Sequence, residues 1–184
     1  MPPPEEIADP ATLKALAHPL RRRILAELRR APASSTTLAA ALGQNTGSTS
    51  YHLRELAKHG FIEDEPALGK GKERWWRVVP RDLRFPLRSE QSPELAAVLD
   101  GLREQQFAED LESWARFQEK SPEMGDWADA VPFSRGAIIV TRAELEAFFE
   151  DYMALLKRHR RAPEDTPADA RRLLVRFIAF PDPD

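Results

Sequence analysis

Hydrophobic residues recur at intervals of three or four through most of the first half of the chain, which is the spacing of helices. The pattern predicts four helices, over residues 10–17, 19–30, 36–42 and from 47 to 58 or 59. Pro10 and Pro19 stand where the first turn of a helix accepts proline, and Gly43 stands where a helix ends. Only the short turn 44–46 separates the third helix from the fourth, an arrangement typical of a helix-turn-helix.

The fourth helix has two different faces. At about 100° per residue, Thr49, Leu53 and Leu56 fall within about 60° of arc and predict a narrow buried stripe. The opposite face carries small, polar or basic residues, centred on Gly47, Tyr51, Arg54 and Lys58. A helix of this kind has an outer face equipped for hydrogen bonding, which is what an element that enters the major groove of DNA needs.

After this helix the pattern changes to that of strands. Residues 61–62 and 73–79 predict the two arms of a hairpin, joined by a loop with Lys70 and Lys72 at its tip. Such a hairpin beside a helix-turn-helix can lie against the phosphate backbone as a wing. Trp75 and Trp76 point to opposite faces if they lie in a strand, so at most one of them can enter the core.

The second half begins with a connector that contains several prolines, over residues 80–88. The pattern then predicts a long helix from about 93 to 119, a strand at 137–140, a helix at 141–159 and a strand at 172–180. The expected fold is mainly α with small β. We expect a disordered N-terminus (1–9), a winged helix-turn-helix domain (10–88) and a C-terminal α+β domain with a long helix and a short sheet (89–184), which dimerises and has room for an effector.

Charge is distributed unevenly along the chain. Residues 1–88 carry 15 Lys and Arg against 10 Asp and Glu, whereas residues 89–184 carry 12 against 20. This asymmetry indicates that the first domain meets a polyanion and the second does not. The absence of cysteine excludes disulfides and thiolate metal sites. Because the N-terminus is acidic without an apolar run, we expect a cytoplasmic protein without a signal peptide or membrane span.

Three stretches together resemble the ArsR-type winged-helix transcriptional regulators. They are LKALAHPLRRRILAEL at 13–28, STSYHLRELAKHGFIE at 48–63 and GKGKERWWR at 69–77. The tandem tryptophans are similar to those of a longer branch with an added C-terminal domain. The resemblance implies a homodimeric repressor that binds a two-fold symmetric operator in double-stranded DNA.

The resemblance does not extend to metal sensing. Metal-sensing members carry cysteines on the third helix, where this chain has SSTTLAAA at 34–41. Others use histidine on the helix after the wing, but residues 93–119 contain none. We therefore expect no metal site, no cofactor and no response to metal ions.

The candidate DNA contacts lie at the start and on the outer face of the fourth helix and on the wing. We expect Asn45, Thr46, Ser48, Tyr51 and Arg54 to reach base edges, and Lys58, Lys70, Lys72, Arg74 and some of Arg21, Arg22 and Arg23 to meet phosphates. Gly47 and Ser50 complete this set. His52 lies on the flank of the stripe, where it either packs or donates to a phosphate.

Further predictions concern the second domain. We expect Leu95, Val98, Leu99 and Leu102 to form the dimer contact. Six aromatic residues either line a small-molecule pocket or are simply core: Trp114, Phe117, Trp127, Phe148, Phe149 and Tyr152. No constellation typical of an enzyme is present, so we expect no catalysis. The alternative to a DNA-binding regulator is a winged-helix protein-interaction module that acts through its acidic C-terminal domain.

Overall fold

The computed structural model describes residues 4–69, 73–161 and 165–183. The chain forms two compact units, Met1–Phe133 and Ser134–Asp184. The domain boundary expected near residue 88 therefore falls inside the first unit. In the described parts of the chain, no helix combines the length and the hydrophobicity that a membrane crossing needs.

The first unit contains the four predicted helices in the predicted order. They are α1 (Pro10–Ala17), α2 (Pro19–Leu28), α3 (Ser35–Leu42) and α4 (Thr46–Lys58). Each helix begins with a side chain that accepts hydrogen bonds from backbone N–H groups of its first turn. These caps are Asp9 for α1, His18 for α2, Ser34 for α3 and Asn45 for α4. Such caps satisfy donors that a helix start leaves unpaired. Gly43 ends α3 with a φ of 64°, a conformation that glycine adopts without strain.

The wing is confirmed as an antiparallel hairpin of β3 (Ile62–Asp64) and β4 (Trp75–Val78), with Ile62 opposite Val78. A third strand that the sequence reasoning missed, β2 (Ala33–Ser34), pairs with the other edge of β4. Trp76 is buried in the core, whereas Trp75 is only half-buried. The hydrophobic core beneath this sheet joins α1 to α4, with Leu13, Ile24, Leu38, Leu53 and Leu56 almost fully buried.

The expectation of a disordered N-terminus is wrong for residues 4–9. The segment β1 (Pro4–Glu6) pairs in parallel with β5 (Asp82–Arg84), and Ile7 enters the hydrophobic core at 5% exposure. Glu5 also forms an ion pair with Arg81. Residues 4–7 are ordered because the connector after the wing supplies both a strand edge and a cation.

The long helix α5 (Pro93–Lys120) lies entirely within the first unit, and its N-terminal part packs against α1. Leu95, Leu99 and Leu102 are 4%, 0% and 3% exposed, and Leu95 and Leu99 lie in the same core cluster as Leu13 of α1. The helix therefore completes the core of the winged helix instead of forming a separate domain at that point.

The second unit contains the predicted helix, α6 (Arg142–Arg158), which begins with a capping box between Thr141 and Glu144. Phe148, Phe149 and Tyr152 of this helix surround Phe177, with ring centroids 5.7, 5.7 and 4.8 Å away. The strands predicted at 137–140 and 172–180 are wrong, because no strand is found among the described residues after Arg84. The short sheet expected in the C-terminal domain is thus not observed there.

Candidate nucleic-acid interface

The outer face of α4 is exposed over its whole length. Tyr51 is 51% exposed, and Arg54 and Lys58 are exposed beside it on the same side of the helix. On the opposite side Thr49, Leu53 and Leu56 are 0%, 1% and 0% exposed. The helix is therefore anchored by one stripe, as predicted, and presents a phenol, a guanidinium and an ammonium group to solvent. Its 13 residues span about 20 Å.

The start of α4 is held by Asn45. Its Oδ1 accepts a hydrogen bond from the backbone N–H of Ser48 at 2.7 Å, and the Thr49 hydroxyl donates to its backbone carbonyl at 3.0 Å. The side-chain oxygen of Asn45 is thus occupied by the cap, so its main role in the structure is to orient the helix. Thr46 and Gly47 are exposed at this end, and Ser48 and Ser50 are half-buried.

His52 packs inside the protein and does not lie on the outer face. It is 8% exposed, its ring centroid lies 4.4 Å from that of His18, and its Nδ1 has no hydrogen-bond partner. Burial lowers the pKa of both imidazoles, and the nearby Arg21 lowers each further. The structure therefore supports the packing role of His52 and removes it from the set of DNA contacts.

The arginine cluster of α2 is committed to contacts within the protein. Arg21 and Arg22 donate to backbone carbonyls in the last turn of α1, at 2.8 and 2.7 Å, and Arg23 donates to the last carbonyl of α3 at 3.1 Å. Arg22 also pairs with Glu109 of α5 at 2.7 Å and donates to Gln105. These guanidinium groups satisfy helix C-termini, so the expectation that some of them meet phosphates is not supported.

The cations of the wing differ in position. Lys70 and Lys72, expected at its tip, lie outside the described residues. Arg74 forms an ion pair with Asp64 at 3.1 Å, and its guanidinium lies 4.5 Å from the ring centroid of Trp76. It is exposed but already has an acidic partner.

The residues that we expected to form the dimer contact pack within the protomer instead. Leu95, Leu99 and Leu102 are buried, and Val98 packs partly against the core. This assignment is corrected because a side chain buried in its own chain has no surface left for a second copy. Further along α5, Phe107, Leu111 and Trp114 are 53%, 58% and 43% exposed.

The proposed aromatic pocket is distributed over both units. In the first, Trp114 stacks on Phe117 with centroids 5.5 Å apart, and Trp127 lies in a short 3₁₀ turn. Phe148, Phe149 and Tyr152 belong to the aromatic cluster of the second unit. Phe177 completes that cluster and was missed, because residues 172–180 were predicted to form a strand and were not assigned to the aromatic group.

An open cavity of about 350 Å³ lies elsewhere, between α1, the start of α2 and α5. Its lining contains none of the six aromatic residues. Among the described residues, no group of three or more His, Asp or Glu side chains is arranged to hold a metal ion.

Comparison with known proteins places this geometry among helix-turn-helix domains. Residues 16–65 match the model of a helix-turn-helix domain family. This segment includes α2, α3, α4 and the start of the wing. The match and the observed fold confirm the predicted N-terminal winged helix-turn-helix. No curated protein sequence matches the chain.

Similar solved structures cover about half of the chain. A possible transcriptional regulatory protein from Mycobacterium bovis is 22% identical over 54% of this chain and 88% of its own, with a TM-score of 0.36. A solution structure from the same organism, a homodimeric winged helix-turn-helix domain described as a possible ArsR-family regulator, is 22% identical over 54% of this chain and 76% of its own, with a TM-score of 0.36. HlyU from Vibrio cholerae is 21% identical over 52% of this chain and 84% of its own, with a TM-score of 0.34.

Proposed function

We propose that this protein is a sequence-specific, dimeric DNA-binding transcriptional repressor that works without a metal ion. The observation that carries the proposal is the exposed outer face of α4, with Tyr51, Arg54 and Lys58 on one side of a helix whose other side is buried. A major groove about 12 Å wide admits a helix, and its base edges offer the acceptors that arginine recognises. The helix-turn-helix match supports the same role.

The proposed division of labour follows from position along α4. Its N-terminal turn, with Thr46, Gly47, Ser48, Ser50 and Tyr51, enters the groove first. Arg54 reads a base edge further along, and Lys58 meets a phosphate near the C-terminal end. Arg54 is free to do so because the one hydrogen bond that it donates within the described chain, from Nε to the Ser50 carbonyl, is long at 3.3 Å.

Dimerisation is proposed to use the exposed second half of α5. Taking Leu95 as 0°, the buried Leu99 and Leu102 lie within about 40° of it, whereas Phe107, Leu111 and Trp114 lie at about 100–160°. The helix thus carries two apolar stripes on different faces. The first stripe is buried within the protomer, and the second is exposed and is proposed to pack against the same stripe of another copy.

Binding to duplex DNA at increasing salt tests the proposal. Because several phosphates are contacted, affinity for a selected operator should fall steeply between about 50 and 200 mM salt. If no operator emerges from selection, or if affinity is independent of salt, the repressor proposal fails. The protein-interaction alternative would then be favoured.

Substitutions on α4 and at the two lysines expected on the wing distinguish residues that contact base edges from residues that contact phosphates. Arg54→Gln or Tyr51→Phe should change sequence preference, by about 1–3 kcal/mol for a bidentate arginine contact. Lys70→Gln or Lys72→Gln should weaken binding to all sequences alike. Arg142→Gln, which removes the same charge in the second unit, is the control. An unchanged sequence preference in both α4 variants would refute the proposed docking.

A further inference from the structure

The two described arginines of the wing are both paired with carboxylates from the opposite strand. Arg74, which immediately precedes β4, lies 3.1 Å from Asp64 of β3. Arg77 lies 2.8 Å from Glu63 of β3 and 3.0 Å from Glu65, which follows that strand. Three carboxylates therefore neutralise two guanidinium groups, and the described arms of the wing are not a basic surface.

These ion pairs are exposed, so they are easily exchanged for other partners. The side chains of Arg74 and Asp64 are 61% and 41% exposed, and those of Arg77 and Glu63 are 49% and 47% exposed. Exposed pairs contribute little to stability because water and salt screen them. Their arrangement nevertheless affects any anion that approaches the same arginines.

A phosphate that approaches a paired arginine gains less than one that approaches a free arginine. The guanidinium already has a carboxylate at about 3 Å, and that carboxylate repels the phosphate. If the phosphate takes its place, the displaced carboxylate remains close to the DNA backbone without a partner. Arg74 is held further by its packing on the ring of Trp76, 4.5 Å away.

We infer that Asp64, with Glu63 and Glu65, acts as an internal phosphate mimic that withholds the wing arginines from DNA and so suppresses sequence-independent binding. Recognition then depends more on α4, because Arg74 and Arg77 of the wing add little attraction that is common to all sequences. The inference rests on the proposed function and adds to it a residue that determines specificity. Its chemical basis is the competition between carboxylate and phosphate for one guanidinium group.

The test compares Asp64→Asn with a variant of equal charge. Glu146→Gln is the matched control, since it also removes one carboxylate and frees one arginine, Arg142, from an exposed pair 3.0 Å long in the second unit. The full-length variants are titrated with a random-sequence duplex from about 50 to 200 mM salt. Freeing one arginine should steepen the slope of log affinity against log salt concentration by about 0.9. The ratio of the variant's affinity to the wild-type affinity should therefore be about threefold higher at about 50 mM salt than at about 200 mM salt.

A double variant assigns the effect to Arg74. In Asp64→Asn with Arg74→Gln, the gain should disappear and the salt slope should return to that of the wild type. The inference is overturned if Asp64→Asn behaves like Glu146→Gln, or if the gain persists in the double variant. If the wild-type protein binds neither an operator nor random duplex, the proposed function fails, and this inference fails with it.

Discussion

The packing of α5 into the winged helix gives the sharpest test of the fold. Leu99 is 0% exposed, whereas Leu111, twelve residues along the same helix, is 58% exposed. Leu99→Ala removes a fully buried side chain and should lower the free energy of unfolding by about 2–5 kcal/mol. Leu111→Ala is the matched substitution, and in the protomer it should cost no more than about 0.5 kcal/mol.

Urea unfolding followed by far-UV circular dichroism measures the difference. With an m-value of about 2 kcal/mol/M, Leu99→Ala should lower the midpoint by about 1–2.5 M. Measuring each variant at two protein concentrations separates folding from dimerisation, since a cost of Leu111→Ala that arises in the dimer must depend on concentration. An unchanged midpoint for Leu99→Ala would show that α5 does not complete the core.

Three further predictions follow from the same structure. Deletion of residues 89–184 removes three buried leucines, each worth about 1.5–3 kcal/mol, so the remaining fragment should be unfolded by circular dichroism. Asn45→Ala removes the cap on the Ser48 N–H and should cost about 1 kcal/mol in thermal unfolding, with weaker binding to every DNA sequence. Burial lowers the pKa of His18 and His52 in the folded protein, so the unfolded chain binds more protons below pH 6.5. The free energy of unfolding should therefore fall as pH drops below that value. In urea titrations at several pH values, His52→Phe should make this dependence weaker.

The helices were predictable because their signals are local. Proline at the first turns of α1 and α2, the glycine after α3 and the capping residues all act within a few positions of the helix ends that they determine. The buried stripe of α4 was likewise predictable, since its period alone places Thr49, Leu53 and Leu56 on one face. The candidate reading face follows from the same period.

The partners of charged residues were not predictable from the sequence. Arg21, Arg22 and Arg23 look like a basic patch, but they donate to helix C-termini that only the tertiary fold brings within reach. The Arg22–Glu109 pair joins residues 87 positions apart, and no local pattern identifies such a pair. The basic composition of residues 1–88 therefore overstated the number of cations that are free to meet a polyanion.

The helical spacing of apolar residues in α5 did not show which of its faces packs within the protomer and which is exposed. The apolar residues from 95 to 117 form one broad set in sequence, from which we assigned Leu95, Val98, Leu99 and Leu102 to the dimer contact. In the structure, Gln105 and Glu109 lie next to the face of the buried leucines and bind Arg22 of α2, so this side of α5 is polar there. Beyond that point, Phe107, Leu111 and Trp114 continue on a face rotated by about 100–160° from Leu95. Gln105 and Glu109 therefore mark the change from a helix face that packs within the protomer to one that we propose pairs with a second copy.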